Sequence, residues 1–547
     1  MTLFDPAHIP FSRRERFLTL SMMDGALMLR SVRGGDLRPS LGRLARLGFE
    51  RDGAEVAVTL ELTPGLLTAR AGDGEVRFAI GEGERLHVAG RGLNLTLHLE
   101  GSRYDYAYRT PQGAECMVAA FENIRLMPRV TRGAVAVSGQ WRRDRADNVT
   151  CRFTGEFDGT LDLFAVTAPP PDAAGFDAAA PGAQADLAAF RARFAPPRVG
   201  GEEAHALATY VLWANTVPAE GALTRPAVYM SKNHMINIWS WDNAFSALGL
   251  AAADPALAFD QFAAIYDLQA PAGMLPDFVH DGGASYAFTK PPVHGWAIDL
   301  IAGLSPGWLS ADRAAYLGDH IAAQVDWWLT ATRRPGDLPA YPHGNDSGWD
   351  NASFFDRGGP VMSPDLPTFL ILCCDLLERL QPTRAGHWRR QGDGLLALLL
   401  DRLSDGTTFG TRRLSDPGTL DHGQSLIRFM PLLLGSRLPR PLAQGLIAAL
   451  PDHLTRWGLA TEAPASPFYE SDGYWRGPIW APTTALVWDG LRRQGEDALA
   501  RTVADRFCTL CETFGMAENF DALTGAPLRD RGFAWTSAVY LLLSAHA

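Results

Sequence analysis

The stretch GNDSGWDNASFFD, residues 344–356, sets Asp346, Asp350 and Asp356 among two glycines, a tryptophan and two phenylalanines. Flat aromatic faces beside carboxylates suit a pyranose ring, whose axial C–H groups stack on indole and whose hydroxyls bind Asp, Asn, Arg and Lys. Cleaving a glycosidic bond needs two carboxyl groups: one protonates the leaving oxygen, the other activates water or attacks the sugar. The acid must hold its proton near neutral pH, so it needs an apolar neighbour. Asp350 follows Trp349 and has one. Asp346 precedes Ser347-Gly348 and reads as a loop-shaping acid. Asp356 precedes Arg357, a cation that would keep it ionised if their side chains met.

The partner carboxylate is expected far away in sequence and also on a loop. The segment 515–537 offers Glu518, followed by Asn519, Phe520, Asp521 and the turn LTG. On its own residues Glu518 reads equally well as a solvated surface acid. Asp242, in WSWDNAF, and Asp277, in MLPDF, are candidates for gripping hydroxyls. Asp242 is also a candidate helix N-cap, since a helical run follows it.

The elements that must carry these residues fall into two textures. Short alternating β-branched runs, such as EVAVTLEL and LNLTLHLEG, fill positions 55–165 and predict an all-β sandwich. An Ala- and Pro-rich stretch with one helix follows and reads as a linker. Beyond residue 200 apolar positions recur every three and four residues in a dozen segments, which suits an (α/α)6 barrel. The division expected is therefore 1–168 for the sandwich, 169–200 for the linker and 201–547 for the barrel. Of fifteen tryptophans only Trp141 precedes residue 200. Many of the others, including Trp239 and Trp535, sit on connections beside acids and glycines, and predict an aromatic-lined cavity at one end of the helical array.

Composition narrows the function classes. A net charge of -11 over 547 residues, with no basic run, argues against nucleic-acid binding. No window approaches eighteen consecutive apolar residues, so no membrane span is expected, and the first twenty residues lack the apolar stretch of a signal peptide. Six cysteines are too few for a disulfide framework; Cys508 and Cys511 lie on one apolar helical run, as do Cys373 and Cys374. A cytoplasmic protein is expected.

Five segments together resemble glycoside hydrolase family 63, the oligosaccharide α-glucosidases, and their relatives the trehalases and mannosylglycerate or glucosylglycerate hydrolases. WSWDNAF resembles W-x-W-D, KPPVHGWA (290–297) resembles K/Q-P-P-x-x-A/G-W, and DSGWDNASFFD resembles E-S-G-W-D-N/F-S. YWRGPIWAP (474–482) is similar to Y-W-R-G-P-x-W, and ENFDALTG (518–525) to E-N-Y-N/D-x-x-T-G. They stand in the family's order over about 240–540.

The resemblance implies an (α/α)6 barrel and inversion at the anomeric carbon, with Asp350 as general acid and Glu518 as general base. Such a pair stands about 6.5–9.5 Å apart, leaving room for a water. It also places Trp241, Asp242, Lys290, Trp349, Asn351, Trp475, Arg476, Gly477 and Trp480 at positions associated with the sugar pocket. Two positions depart from the family: Asp346 stands where glutamate is usual, and Phe354-Phe355 replaces the more usual polar or basic residue before the aromatic ring.

The expected activity is exo-acting hydrolysis of an α-glucoside: a disaccharide, an oligosaccharide end or a small glucoside. This mechanism needs no cofactor, and no D-x-D-x-D-G calcium loop is present. A glycoside phosphorylase is one alternative, though it would need an anion site in place of Glu518. A non-catalytic sugar-binding protein is another, and retention of both carboxyl residues speaks against it. The N-terminal half is expected to wall one side of the pocket.

Overall fold

The computed structural model describes residues 3–169 and 175–546. Strands fill the first part and pair into one 14-stranded antiparallel sheet rather than two separate ones. Its pivot is the strand Thr150–Phe164, which pairs along one edge with Ile124–Ser138. On the other edge its first residues pair with Leu95–His98 and its later ones with Arg85–Gly90, so a single strand serves both wings. The change of partner falls at Gly155, at φ 79°, opposite two register shifts around Gly133, at φ 81°. Glycine in the left-handed region lets a bulged strand bend. Alternation in sequence marks strands and their buried faces, but does not say where one strand passes from one wing to the other.

Helix α1 (Phe176–Arg191) lies within the expected linker, of which 170–174 fall outside the described residues. It is packed rather than free. Phe176, Ala179 and Ala180 are buried with Ala79 and Ala89 of the sheet, and Trp213 of α2 (Glu202–Asn215) donates its indole N–H to Asp186 at 2.8 Å.

Then follow α3 (Asp242–Leu250), α4 (Pro255–Tyr266), α5 (His294–Leu304), α6 (Ala311–Ala331), the single turn α7 (Gly344–Ser347), α8 (Asp365–Leu380) and α9 (Ala385–Leu403). A 3-10 segment, Leu426–Arg437, precedes α10 (Arg440–Ala449), α11 (Ala481–Arg493), α12 (Asp497–Phe514) and α13 (Ala534–Ser544). The 3-10 segment stands where the sequence predicts an α-helix. Pro431 inside it removes a backbone donor, and Gly435 at φ 56° breaks the run.

Packing arranges these helices in two sets. In the inner set α3 packs on α5, α5 on α8, α8 on the 3-10 segment, that segment on α11, α11 on α13, and α13 again on α3. Outside them α2, α4, α6, α9, α10 and α12 each pack on an inner neighbour. Inner helices such as α8 and α13 bury nearly every side chain, whereas α12 buries one stripe that includes Val503, Phe507, Cys508 and Cys511.

Connections into the inner helices are long, as at 216–241, 332–364 and 450–480; those leaving them, as at 251–254 and 381–384, are short. The long ones carry the candidate residues to the N-terminal ends of the inner helices, where the backbone dipoles favour negative charge.

Candidate active site

Backbone pairing gathers the carboxylates. Ile238-Trp239 pairs with Phe278-Val279, which sets Asp277 beside the turn that enters α3. The N–H of Thr289 donates to Asp346 at 2.9 Å, which docks Lys290 against the loop carrying Asp350. Buried Lys290 then stands 3.5 Å from Asp277 and 3.7 Å from Asp350, and its ammonium also donates to the Asn345 carbonyl at 2.8 Å. Burial works to lower the Lys290 pKa, but Asp350, Asp277 and Asp242 overcome it and leave it raised. Asp242 is the first residue of α3 and makes no capping bond, so it belongs to this cluster rather than to the expected N-cap.

Desolvation dominates the acids. Burial pushes Asp242 up to about 7 and Asp277 up to about 6, against the pull of Lys290. It raises Asp350 as well, opposed by Lys290, His343 and a hydrogen bond from Tyr474. The Asp350 side chain keeps 26% of its exposure, so it faces an opening.

Glu518 arrives from the other side. Ile479 and Phe520 exchange backbone hydrogen bonds of 2.7 and 3.1 Å, which lays the Tyr474–Trp480 segment beside it. Burial pushes Glu518 up to about 8, with charge on Asp530 and Asp242 adding and Arg529 opposing. Tyr474 bonds to Asp350 and feels the charge of Glu518. Burial lifts its phenol well above the ordinary range, and Asp350, Glu518 and Asp242 all add to the rise. Its backbone sits at φ 62°, an unusual conformation for a bulky residue, and the Arg529 guanidinium lies over its ring at 4.9 Å. Sequence reasoning does not single out Tyr474. Its only signal there is that it opens the segment YWRGPIWAP.

The tryptophans stand mostly behind the carboxylates. Trp241, Trp349, Trp475 and Trp480 are at most 1% exposed; Trp535 and Trp239 keep 4% and 8%. Trp475 stacks on Trp480 at 4.2 Å, with Trp349 and Trp535 completing the row at 5.2 and 5.4 Å. Trp480 donates to the Tyr474 carbonyl at 2.8 Å and Trp535 to that of Glu518 at 3.3 Å. The rings are therefore a buried wall that fixes the backbone of the site, where open stacking faces were expected. The indole N–H groups of Trp241, Trp349 and Trp475, with one oxygen each of Asp277 and Asp350, have no hydrogen-bond partner among the described residues. Buried polar atoms rarely stay so, and sugar hydroxyls both donate and accept.

Three expected contact residues serve as supports. Asn351 accepts from the Trp475 backbone N–H at 2.9 Å and donates to the Gly473 carbonyl at 3.0 Å. Arg476 pairs through both nitrogens with Asp356 and donates to the Asn351 carbonyl at 2.7 Å. The cation of Asp356 is thus Arg476 and not its neighbour Arg357. Gly477, at φ 147°, has the Glu470 carbonyl where a Cβ would stand, and its N–H donates to Thr461 at 3.0 Å. Asp346 shapes its loop as expected, closing a capping box in α7 with His343.

Two cavities open at this end of the helices. One of about 450 Å³ is lined by Glu518, Arg529 and Asp530 and also by His8 and Met22 of the β-rich part. The other, of about 250 Å³, lies behind Ser353 and Asp356 and is lined by Arg357, Arg413 and Arg428. Among the described residues no group of three or more His, Cys, Asp or Glu is arranged to hold a metal ion, and no helix is long and apolar enough to cross a membrane.

The model of the mannosylglycerate hydrolase MGH1-like glycoside hydrolase domain matches residues 235–536. The mannosylglycerate hydrolase of Thermus thermophilus is 26% identical over 392 residues, covering 55% of this chain and 93% of that protein. A solved structure of the family 63 mannosylglycerate hydrolase from Thermus thermophilus, in complex with glucose, is 25% identical, with a TM-score of 0.54 over 61% of this chain and 98% of that one. A bacterial glucoamylase complexed with acarbose aligns over 100% of this chain and 94% of its own, with a TM-score of 0.66 and 12% identity. That last likeness is one of fold, and it includes the β-rich part.

Proposed function

The chain belongs to the mannosylglycerate hydrolase MGH1-like glycoside hydrolase family, and from that premise we propose that it hydrolyses a small α-linked glycoside with inversion, Asp350 protonating the leaving oxygen and Glu518 activating the water. It is a glycoside hydrolase; what is proposed is the stereochemistry, the residues and the substrate. One observation supports a shared site: the charges of both Asp350 and Glu518 act on the Tyr474 phenol, so the two carboxyl groups lie within electrostatic reach of one hydroxyl. Asp350 sits beside Lys290. Glu518 borders the larger cavity, from which water can reach it.

The packing order of the inner and outer helices, together with the glucoamylase likeness, supports an (α/α)6 barrel over 201–547. The strands ending at Phe164 support a β-rich domain over 1–168, with 169–200 joining the two. The six cysteines are free and buried, which supports a reducing compartment.

For the substrate we favour an α-glycoside whose aglycone is an acid, as mannosylglycerate is for the named relatives. The cavity lined by Arg357, Arg413 and Arg428 supports this. Arg413 and Arg428 each hold a buried Nε without a partner among the described residues, and guanidinium groups suit a carboxylate. Glucosylglycerate fits equally well, and an α-glucoside such as trehalose stays in the test.

The test is a panel of mannosylglycerate, glucosylglycerate, trehalose, kojibiose, nigerose, maltose and isomaltose, with NMR following the anomeric proton of the released sugar. Release of the β-anomer, lost in Asp350→Asn, is the expected result. Release of the α-anomer would mean retention and remove the water-activating role from Glu518.

A further inference from the structure

The segment Ser231–Asn233 ties the β-rich part to the base side of the site. Arg30, on the strand Ala26–Ser31, is fully buried. Its five N–H groups all go to neutral oxygens: Leu41 O twice (3.0 and 2.7 Å), Ser21 Oγ (3.1 Å), and the carbonyls of Lys232 and Asn233 (2.7 Å each). Lys232 answers in the opposite direction. Its ammonium donates to Ser12 Oγ at 2.9 Å and to the carbonyls of Arg16 and Arg13 at 2.6 and 3.5 Å. Two buried basic side chains, one from each part, thus clamp a three-residue segment, and burial lowers the Lys232 pKa to about 7. Removing either would leave several buried acceptors unsatisfied.

The side chains of that segment reach Asp530. Ser231 donates to its Oδ2 at 2.5 Å, and Asn233 and the Gly532 N–H donate to its Oδ1 at 3.0 Å each. Asn233 also donates to the His8 carbonyl at 2.9 Å. Asp530 is buried and its own carbonyl accepts the Glu518 N–H at 2.7 Å. A chain of hydrogen bonds therefore runs from the sheet through Arg30, Asn233 and Asp530 to Glu518, along the wall of the 450 Å³ cavity.

We propose that Asp530 is a positioning residue for Glu518, held in register by the β-rich part through the Arg30 and Lys232 clamp, so that the two parts of the chain build one active centre. The inference rests on Glu518 being the base. The charged groups that act on it are Asp530, Arg529 and Asp242, with Tyr474 beside it and His8, His234 and Arg531 lining the same cavity. Asp530 is the largest of the charges acting on Glu518, and it favours the protonated form.

The test uses the full-length chain carrying 13C-carboxyl glutamate, with the Glu518 resonance identified by its loss in Glu518→Gln. The wild-type midpoint is expected near the value of about 8 that burial and Asp530 impose. Asp530→Asn keeps the shape and removes the charge, and is expected to move that midpoint down by about one pH unit. Asn233→Asp, at a half-buried position, adds a charge to the same network and is expected to move it up. Should Asp530→Asn fail to fold, as read by its thermal transition, the Asn233→Asp shift decides. A midpoint unmoved in the folded variants overturns the inference. The role of Glu518 as base is tested separately, by whether Glu518→Gln still releases sugar.

Discussion

The Lys290 ammonium and the Asp350 carboxylate stand 3.7 Å apart, with Asp277 at 3.5 Å from the same ammonium. One buried cation serves three acids, and it keeps Asp242 and Asp277 lower than burial alone would leave them. Lys290→Met should therefore lower kcat/KM by about 10²-fold or more, since removing one member of a buried charge cluster costs roughly 2–5 kcal/mol. Lys290→Arg should not restore it, because a planar fork cannot replace a point charge that also donates to the Asn345 carbonyl. Steady-state kinetics on whichever glycoside the panel identifies decide this, and wild-type kcat/KM in Lys290→Met would remove the cluster from the reaction.

A base acts in its ionised form, and burial places the ionisation of Glu518 at about 8. Asp350→Ala acting on the α-glycosyl fluoride of the released sugar isolates this step, because fluoride leaves with little need of a proton. The rate should rise with pH and level off above about 8. A rate that falls through that range would give Glu518 the role of acid.

Tyr474→Phe removes the hydroxyl that bonds to Asp350 and holds its pKa down. The Asp350 proton should then persist to higher pH, moving the limb for its ionisation upward, and kcat should drop by about tenfold. The melting temperature should barely change, since the ring stays in place. A lowered melting temperature with an unmoved limb would make Tyr474 a packing residue only.

Asp356 and Arg476 hold the 351–356 loop against 473–476. Asp356→Ala and Arg476→Ala should weaken kcat/KM by similar factors, and the double variant should lose less than their sum. The expected coupling is about 1 kcal/mol. Strictly additive losses would mean that Arg476 meets the substrate independently.

Much of the helical part is legible in the sequence because some helices, such as inner α13, are apolar almost throughout and others, such as outer α12, carry a stripe. Both patterns survive without knowledge of partners. The 3-10 segment Leu426–Arg437 escapes such a reading because Pro431 and Gly435 act on backbone geometry, which apolar spacing does not report. Asp346 is readable as a loop-shaping acid since one of its partners, the His343 N–H, is local; its bond from the Thr289 N–H, 57 residues away, is not readable. The cation that meets Asp356 is not readable, because adjacency in sequence says little about which guanidinium a folded loop will meet.

Residue types and their grouping were enough to mark where carboxylates, a lysine and indoles gather, because chemistry of this kind demands those types and they crowd the connections between helices. Only the folded chain decided which face of each ring is open. It closed Trp241, Trp349, Trp475 and Trp480 into a wall, spent Asn351 and Arg476 on backbone, and brought Tyr474 within reach of the charges of Asp350 and Glu518. It also joined Arg30 to Asp530 through a segment that no local pattern marks. Burial and long-range hydrogen bonds set those outcomes, and both depend on what the rest of the chain places alongside.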